Sequence, residues 1–279
     1  MIAPDPKFDW LSELPLIAGE PFLRMGTRGI EEADWLLTDA ETPRELAFRA
    51  ELLQAHPDFV QIEAGHEEPL AELVALVENH IGNPLQTGPV VEDVQPELAA
   101  LAVSIPEDVQ LLVRTEDHWR LIGGVLLFPD QWRLPDKLGL SIAQVHAPTD
   151  GYDELLEDKV DRFFDRLTAG RLVGRRNWFV HDAPTYFLDR HAPNQVIREP
   201  EQCESLWIRS ERQTLRRLPE TNAIVFTIKT QFAPFAQLRA RPEIAAGVAT
   251  YLEQAGDRLL QNKDVSGRTQ AVISYLTLN

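Results

Sequence analysis

Histidines are the side chains of this sequence that most readily bind a metal or transfer a proton at neutral pH, and there are seven of them. His146 stands out because its run, Ile142–Pro148, is apolar around the imidazole and reads as a short helical turn ended by proline. A neutral imidazole in an apolar pocket is the kind of axial ligand that haem iron takes. His146 is therefore the first candidate for a metal ligand.

Two interpretations of His146 stay open from the residues alone. The second is a core histidine whose ring hydrogen-bonds a backbone carbonyl, because buried polar groups need partners. His181 ends a predicted strand in the run Asn177–Asp182 and is the second candidate ligand. The remaining histidines fall in turns, loops or beside helix ends and are weaker candidates: His56, His66, His80, His118 and His191.

Motifs that the sequence lacks exclude several kinds of chemistry. There is no His-x-x-x-His pair, no glycine-rich dinucleotide or phosphate loop, and no Gly-x-Ser-x-Gly elbow. Helical zinc sites, nucleotide chemistry and α/β-hydrolase chemistry are therefore disfavoured. The single cysteine, Cys203, excludes an internal disulfide and a cysteine-based zinc cluster.

Arginines gather near two predicted strands and suit an anionic ligand. Arg212 and Arg216 are four residues apart, so they share one face if the strand extends that far. Guanidinium groups bind carboxylates through paired hydrogen bonds, and haem propionates or a substrate carboxylate would be suitable partners. Salt bridges with nearby acidic residues are the alternative explanation for most of these arginines.

Charge is distributed unevenly along the chain. The net charge is −17, and residues 1–108 carry all of it, with 5 basic and 22 acidic side chains. Nucleic-acid binding is disfavoured because it needs a basic patch. The acidic first third is either a solvated helical layer or a docking face for a basic partner.

Composition is that of a globular protein rather than a membrane or secreted one. The 279 residues contain no apolar run near the ~18–20 residues of a membrane span. The N-terminal residues, Met1–Trp10, lack the features of a signal peptide. We therefore expect a cytoplasmic protein without membrane contact.

Hydrophobic periodicity predicts an α+β fold with an N-terminal helical layer. The clearest helix is Thr42–Ala55, with Pro43 in its first turn. Five strands are predicted at Gln110–Arg114, Arg120–Phe128, Arg176–His181, Ser205–Thr214 and Ala223–Phe232. Helices are also predicted at Pro69–His80, Pro96–Val103, Asp153–Leu167, Pro242–Leu260 and Arg268–Leu278. Gly123 and Gly124 interrupt the second strand and predict a bulge or the close approach of another backbone or a ligand.

The order of these elements favours a PAS-like, five-stranded antiparallel sheet with flanking helices. In that arrangement a hairpin, a helical segment and three further strands hold a ligand between the concave face of the sheet and the helices; this is an analogy of element order. The predicted division is an acidic helical layer at residues 1–108, a PAS-like core at 109–235, and C-terminal helices at 236–279.

Five separate motifs resemble the haem-dependent oxidative N-demethylase family. They follow the family's order and are densest between Phe128 and Pro219, within a resemblance that runs from Pro4 to Thr250. They are Phe128–Gly139, Ile142–Pro148 with Gly151 and Tyr152, Val160–Phe164, Arg175–Trp178 and Arg209–Pro219. One departure is the segment Pro148-Thr-Asp-Gly-Tyr152, where the family commonly has Val-Pro-Gly-Tyr. The loop beside His146 is therefore expected to differ in shape from that of the family, so the family's substrate does not carry over to this chain.

The resemblance implies a PAS-like subunit that holds haem b, oxidises a small alkylamine with dioxygen and releases formaldehyde. Electrons would come from NADPH through a separate flavin and iron–sulfur reductase. His146 matches the family's histidine before Ala/Thr-Pro and is implied as the axial ligand. Arg212 is the implied propionate partner, with Arg216 next, and Tyr152 and Trp178 are implied to line the pocket. The alternative hypothesis is a haem or small-ligand sensor without turnover, because PAS-like scaffolds are more often binding modules.

Overall fold

One antiparallel sheet organises the computed structural model, which describes residues 9–16, 26–146, 157–191 and 193–278. The strands are β1 (Arg28–Gly29), β2 (Val60–Ile62), β3 (Asp108–Arg114), β4 (Trp119–Val125), β5 (Leu172–His181), β6 (Trp207–Arg217) and β7 (Ile224–Pro234). The helices are α1 (Thr42–Ala55), α2 (Glu67–Ile81), α3 (Pro96–Ser104), α4 (Ile142–His146), α5 (Glu157–Arg166), α6 (Pro242–Glu253), α7 (Asp257–Asn262) and α8 (Thr269–Thr277).

The α+β class is confirmed, but the expected number of strands is wrong. The order across the sheet is β1-β5-β6-β7-β3-β4-β2, seven strands in the described residues where five were expected. All five predicted strands are present and adjacent. The two additional strands lie at the edges and contain two and three residues. Segments this short show no alternation of polar and apolar residues, so periodicity could not reveal them.

The paired glycines of β4 lie where two other strands come close. The register of β3 against β4 shifts between Leu111 and Leu112, which is the bulge that the glycines predicted. A Cβ atom on Gly124 would lie 2.0 Å from the carbonyl oxygen of Val109 in β3, and one on Gly123 would lie 2.4 Å from that of Gln61 in β2. Only glycine fits at these two positions because any side chain would overlap a neighbouring backbone.

Helix prediction succeeded best where proline and capping residues mark the boundaries. Helix α1 has the predicted bounds, and Asp39 Oδ1 accepts from the backbone amides of Glu41 and Thr42 at its start. The predicted helix Pro242–Leu260 is two helices, because α6 ends at Glu253 and α7 begins after Gly256. Helix α5 is the described part of the predicted helix Asp153–Leu167. Residues 153–156 of that prediction lie outside the described residues. No helix in the described ranges has the length and apolar character to cross a bilayer.

The two faces of the sheet pack against different layers. Helices α4 and α5 cover the face that carries Val173 of β5 and Leu215 of β6, since Ile142 and Phe164 share their apolar cluster. We call this face the α4 face. The opposite face is covered by two further cores, one with the N-terminal helices and one with the C-terminal helices.

Candidate functional site

His146 is the last residue of α4, and its imidazole is fixed by its own helix. Nδ1 lies 2.9 Å from the carbonyl oxygen of Ile142, one turn earlier. A carbonyl only accepts, so Nδ1 donates and the lone pair of the neutral ring is on Nε2. Burial lowers the pKa of His146 to about 4, with smaller contributions from the charges of Arg175 and Lys137. By its solvent-accessible surface, however, the residue as a whole is exposed.

A line of polar side chains continues from Leu215 along the α4 face of the sheet. Arg175 of β5 is paired with Gln213 of β6, and its Nε donates to Gln213 Oε1 over 2.7 Å. Gln213 Nε2 then donates to Glu211 Oε2 over 3.1 Å. Residues two apart on a strand share a face and advance about 7 Å, so Gln213 and Glu211 follow Leu215 along this face. The line therefore begins beside the cluster that holds α4.

Five buried ionisable groups at the end of this line form what we call the Arg209 cluster: Asp130, His181, Arg209, Glu211 and Asp264. Arg209 Nη2 lies 3.4 Å from Glu211 Oε1, and Arg209 Nε lies 3.5 Å from Asp130 Oδ2. His181 Nε2 lies 3.5 Å from Asp130 Oδ1 and 3.4 Å from Asp264 Oδ2. Arg209 also donates to the carbonyl oxygen of Phe128 over 2.7 Å, which fixes the cluster to the chain leading towards α4.

The protonation states in the Arg209 cluster follow from burial and from these contacts. Burial opposes charge on His181, but the nearby carboxylates of Asp130 and Asp264 outweigh it and raise the pKa of His181 to about 9. Burial also opposes charge on Asp130, yet Arg209 and His181 lower the pKa of Asp130. Burial raises the pKa of Glu211, and the charge of Asp130 adds to that effect. His181 is thus an imidazolium and Asp130 a carboxylate at neutral pH.

Lys263 is a further buried base close to this line. It follows α7, and its Nζ donates to Asn177 Oδ1 over 2.6 Å and to the carbonyl oxygen of Trp178 over 2.9 Å. Burial, reinforced by the charge of Arg175, lowers the pKa of Lys263 to about 7. Asn177 is two residues from Arg175 on β5, so its side chain belongs to the α4 face.

Three of the residues predicted for the site lie on the opposite face. Arg212 and Arg216 do share a face, as predicted, but it is not the face of Arg175 and Gln213. Arg212 donates to the carbonyl oxygens of Trp35, over 3.1 Å, and Asp34. Arg216 donates to Glu32 over 2.7 Å and stacks on the Trp35 ring.

Trp178 is a core residue of the opposite face. It is fully buried among the C-terminal helices, with its ring centroid 5.5 Å from that of Tyr251. Tyr152 was also predicted to line the pocket, and it lies outside the described residues.

The donor set favours His146 over His181 as a ligand for iron. His181 is held as an imidazolium between two carboxylates, and an imidazolium has no lone pair to give to a metal. Within the described ranges, no group of three or more His, Cys, Asp or Glu side chains could hold a metal ion. A single neutral imidazole would suit a haem group, because the porphyrin itself supplies most of the ligands to its iron.

A comparison with known families identifies the family of this chain. A family model described as haem-dependent oxidative N-demethylase, alpha subunit-like, matches residues 76–273, which are 198 of the 279 residues. The chain belongs to this family. The resemblance drawn from the sequence motifs is thereby confirmed, and the matched range of the N-demethylase family contains α4, the Arg209 cluster and every predicted site residue. Helix α1 and both edge strands precede it.

Sequence reasoning missed most of the polar line on the α4 face. Arg209, Glu211 and Gln213 alternate in β6 with residues of the other face, and all three are buried. The available signal was the unbroken polar run from Arg209 to Thr214 in a long central strand, since such side chains are seldom buried without a role. Asp130 and Lys263 gave no sequence signal, because their partners are distant in the chain.

Proposed function

We propose that this chain is the haem-binding subunit of an oxidative N-demethylase-like oxygenase, with haem b against the α4 face and His146 as its axial ligand. The single observation that carries the proposal is the state of His146 in a chain of this family. The imidazole is neutral at pH 7 because its pKa is about 4. Its Nδ1–H donates to the carbonyl oxygen of Ile142, which keeps the proton on Nδ1. Ligating histidines commonly donate their other ring N–H to a backbone carbonyl in this way.

The residues around His146 suit a haem group in two respects. Ile142 and its neighbours from α5, β5 and β6 supply an apolar wall, and Arg175 supplies a guanidinium on the same face for a propionate. Arg212 and Arg216 are engaged on the opposite face, so the proposal does not use them. When bound, haem would activate dioxygen for oxidation of an N-methyl carbon of a small alkylamine, which releases formaldehyde.

The core of the sheet supports a PAS-like assignment. Strands β3 and β4 form a hairpin, the segment with α4 and α5 follows, and β5, β6 and β7 complete five adjacent strands. The proposed haem site lies between these strands and that helical segment. The edge strands β1 and β2 would then be additions to a PAS-like sheet.

Electrons for this reaction would come from another protein. The family is described as that of an alpha subunit, which supports assembly with other subunits. A flavin and iron–sulfur reductase that uses NADPH is the proposed partner, because a chain with one buried cysteine cannot hold an iron–sulfur cluster of the usual type. The acidic first third offers a surface for such a partner.

The test is a visible spectrum of the purified chain after haem supplementation. We expect an intense Soret band, and we expect His146→Ala to shift or abolish it. His191→Ala is the matched control, because His191 is exposed and should leave the band unchanged. A normally ligated haem in His146→Ala, with loss in His181→Ala, would refute the ligand assignment.

Turnover separates the enzyme from a haem sensor. With a reductase and NADPH, an enzyme of this type should release formaldehyde from a methylamine. A Soret band without any such release, across a panel of small methylamines, would favour the sensor. Absence of the band after supplementation would count against both.

A further inference from the structure

Gln213 is a buried amide that stands between two ionisable side chains of the α4 face. The residue is 7% exposed. Its Oε1 accepts from Arg175 Nε over 2.7 Å, and its Nε2 donates to Glu211 Oε2 over 3.1 Å. Glutamine is seldom buried, because both ends of its amide need hydrogen-bond partners. At Gln213 each end of the amide has such a partner, and each partner is an ionisable group.

Glu211 determines which way the amide of Gln213 faces. Both carboxyl oxygens of Glu211 accept, Oε2 from Gln213 and Oε1 from Arg209 Nη2 over 3.4 Å. An accepting oxygen requires the amide nitrogen of Gln213 on its side. The amide oxygen is then directed at Arg175, whose guanidinium carries only donors. A reversed amide would place oxygen against oxygen and donor against donor, so the two neighbours together permit one orientation.

Arg175 connects this amide to the proposed ligand site. It is two residues from Val173, which shares an apolar cluster with Ile142 of α4. Its charge is close enough to His146 to lower the pKa of that imidazole, as is the charge of Lys137. The contact with Gln213 uses Nε. A carboxylate that meets a guanidinium end-on uses the two Nη atoms, so the hold at Nε sets the direction of that fork and does not compete for it.

We propose that Gln213 is a positioning residue that aims the guanidinium of Arg175 at a carboxylate of the ligand bound on the α4 face. This inference rests on the proposed function and names the chemical group that the site recognises beside His146. Two ligands present that group: a haem through its propionates, and a methylamine substrate that also carries a carboxylate. The positive charges of Arg175 and Lys137 favour either one over a cationic group.

The first test compares haem b with haem dimethyl ester, in which both propionates are blocked. Titrations followed at the Soret band should show that wild type binds haem about tenfold more tightly than the ester. Gln213→Met, which keeps the size of the side chain but not the amide, should lose this preference. Gln231→Met is the matched control, because Gln231 is equally buried and accepts from Arg176 Nη1 over 2.9 Å on the opposite face. Loss of the preference in both variants, or in neither, would overturn the role of Gln213 towards a propionate.

The substrate arm applies the same comparison to turnover with the reductase. Sarcosine carries a carboxylate, and N-methylisobutylamine has a similar shape without one. If the carboxylate belongs to the substrate, Gln213→Met should raise KM for sarcosine about tenfold, with kcat and the KM for the uncharged amine unchanged. A chain that discriminates neither between the two haems nor between the two amines would refute the proposal.

The second test needs no haem and therefore separates this inference from the proposed function. In NMR spectra of the chain alone, the Nε–H proton of Arg175 should exchange slowly with water, because Gln213 accepts it in a buried place. The resonance is assigned through its absence in Arg175→Lys, and Gln213→Met should make the exchange fast. Fast exchange in wild type would overturn the positioning role, whether or not the chain binds haem. Slow exchange in a chain that binds no haem would instead count against the proposed function.

Discussion

The buried imidazolium of His181 makes the stability of this protein depend on pH in a way that can be calculated. Its pKa is raised from 6.5 to about 9 in the folded chain. A raised pKa means that the folded state holds the proton more tightly than the unfolded state. The resulting stabilisation is fully present below pH 6.5 and is lost as the pH rises through 9. At 1.36 kcal/mol per pKa unit, the loss is roughly 3 kcal/mol of the free energy of unfolding.

Lys263 acts in the opposite direction over part of the same range. Its pKa falls from 10.5 to about 7 on folding, so above pH 7 the unfolded chain binds the extra proton. Its contribution to stability therefore rises with pH up to about 10.5. The wild-type curve mixes both effects. The comparison of wild type with His181→Gln isolates the histidine, because Lys263 is common to both.

The assay is urea unfolding of wild type and His181→Gln at several values between pH 6 and 10. The difference in the free energy of unfolding should shrink by roughly 3 kcal/mol across this range. His191→Gln, at an exposed histidine, should run parallel to wild type throughout. A constant difference between wild type and His181→Gln would refute the reasoning. NMR titration of the His181 ring gives its pKa directly, even if the variant folds poorly.

Two further predictions test the architecture around the site. Arg212→Met should lower the free energy of unfolding by about 3 kcal/mol, because the carbonyl groups of Trp35 and Asp34 lose a charged donor. It should leave the Soret band unchanged. Chemical denaturation and the visible spectrum measure these two effects. Loss of haem binding in a folded Arg212→Met would instead restore its role as a propionate partner. Gly124→Ala should destabilise the sheet by about 3 kcal/mol through the clash with Val109, whereas Gly256→Ala, where a Cβ meets nothing within 4 Å, should change thermal stability little. Equal melting temperatures for both glycine variants would contradict the close approach.

Family membership and the main elements were readable from the sequence. Ordered motifs between Phe128 and Pro219 identified the family, and the alternation in β7 identified a strand. Pro43 and the helical spacing of leucines fixed α1 to the residue. Gly123 and Gly124 predicted the bulge between β3 and β4. Each of these signals is local, because helix periodicity, strand alternation and glycine punctuation act over a few residues.

Only the tertiary structure shows which face of the sheet α4 covers and which face carries the predicted arginines. The sequence established that Arg212 and Arg216 share a face, but not that α4 packs against the other one. That depends on which strands are neighbours and on which side the α4–α5 segment passes. The different protonation states of His146 and His181 also became clear only from the tertiary structure. Asp130 and Asp264 reach His181 across long stretches of chain and keep it charged, whereas His146 is held neutral by burial.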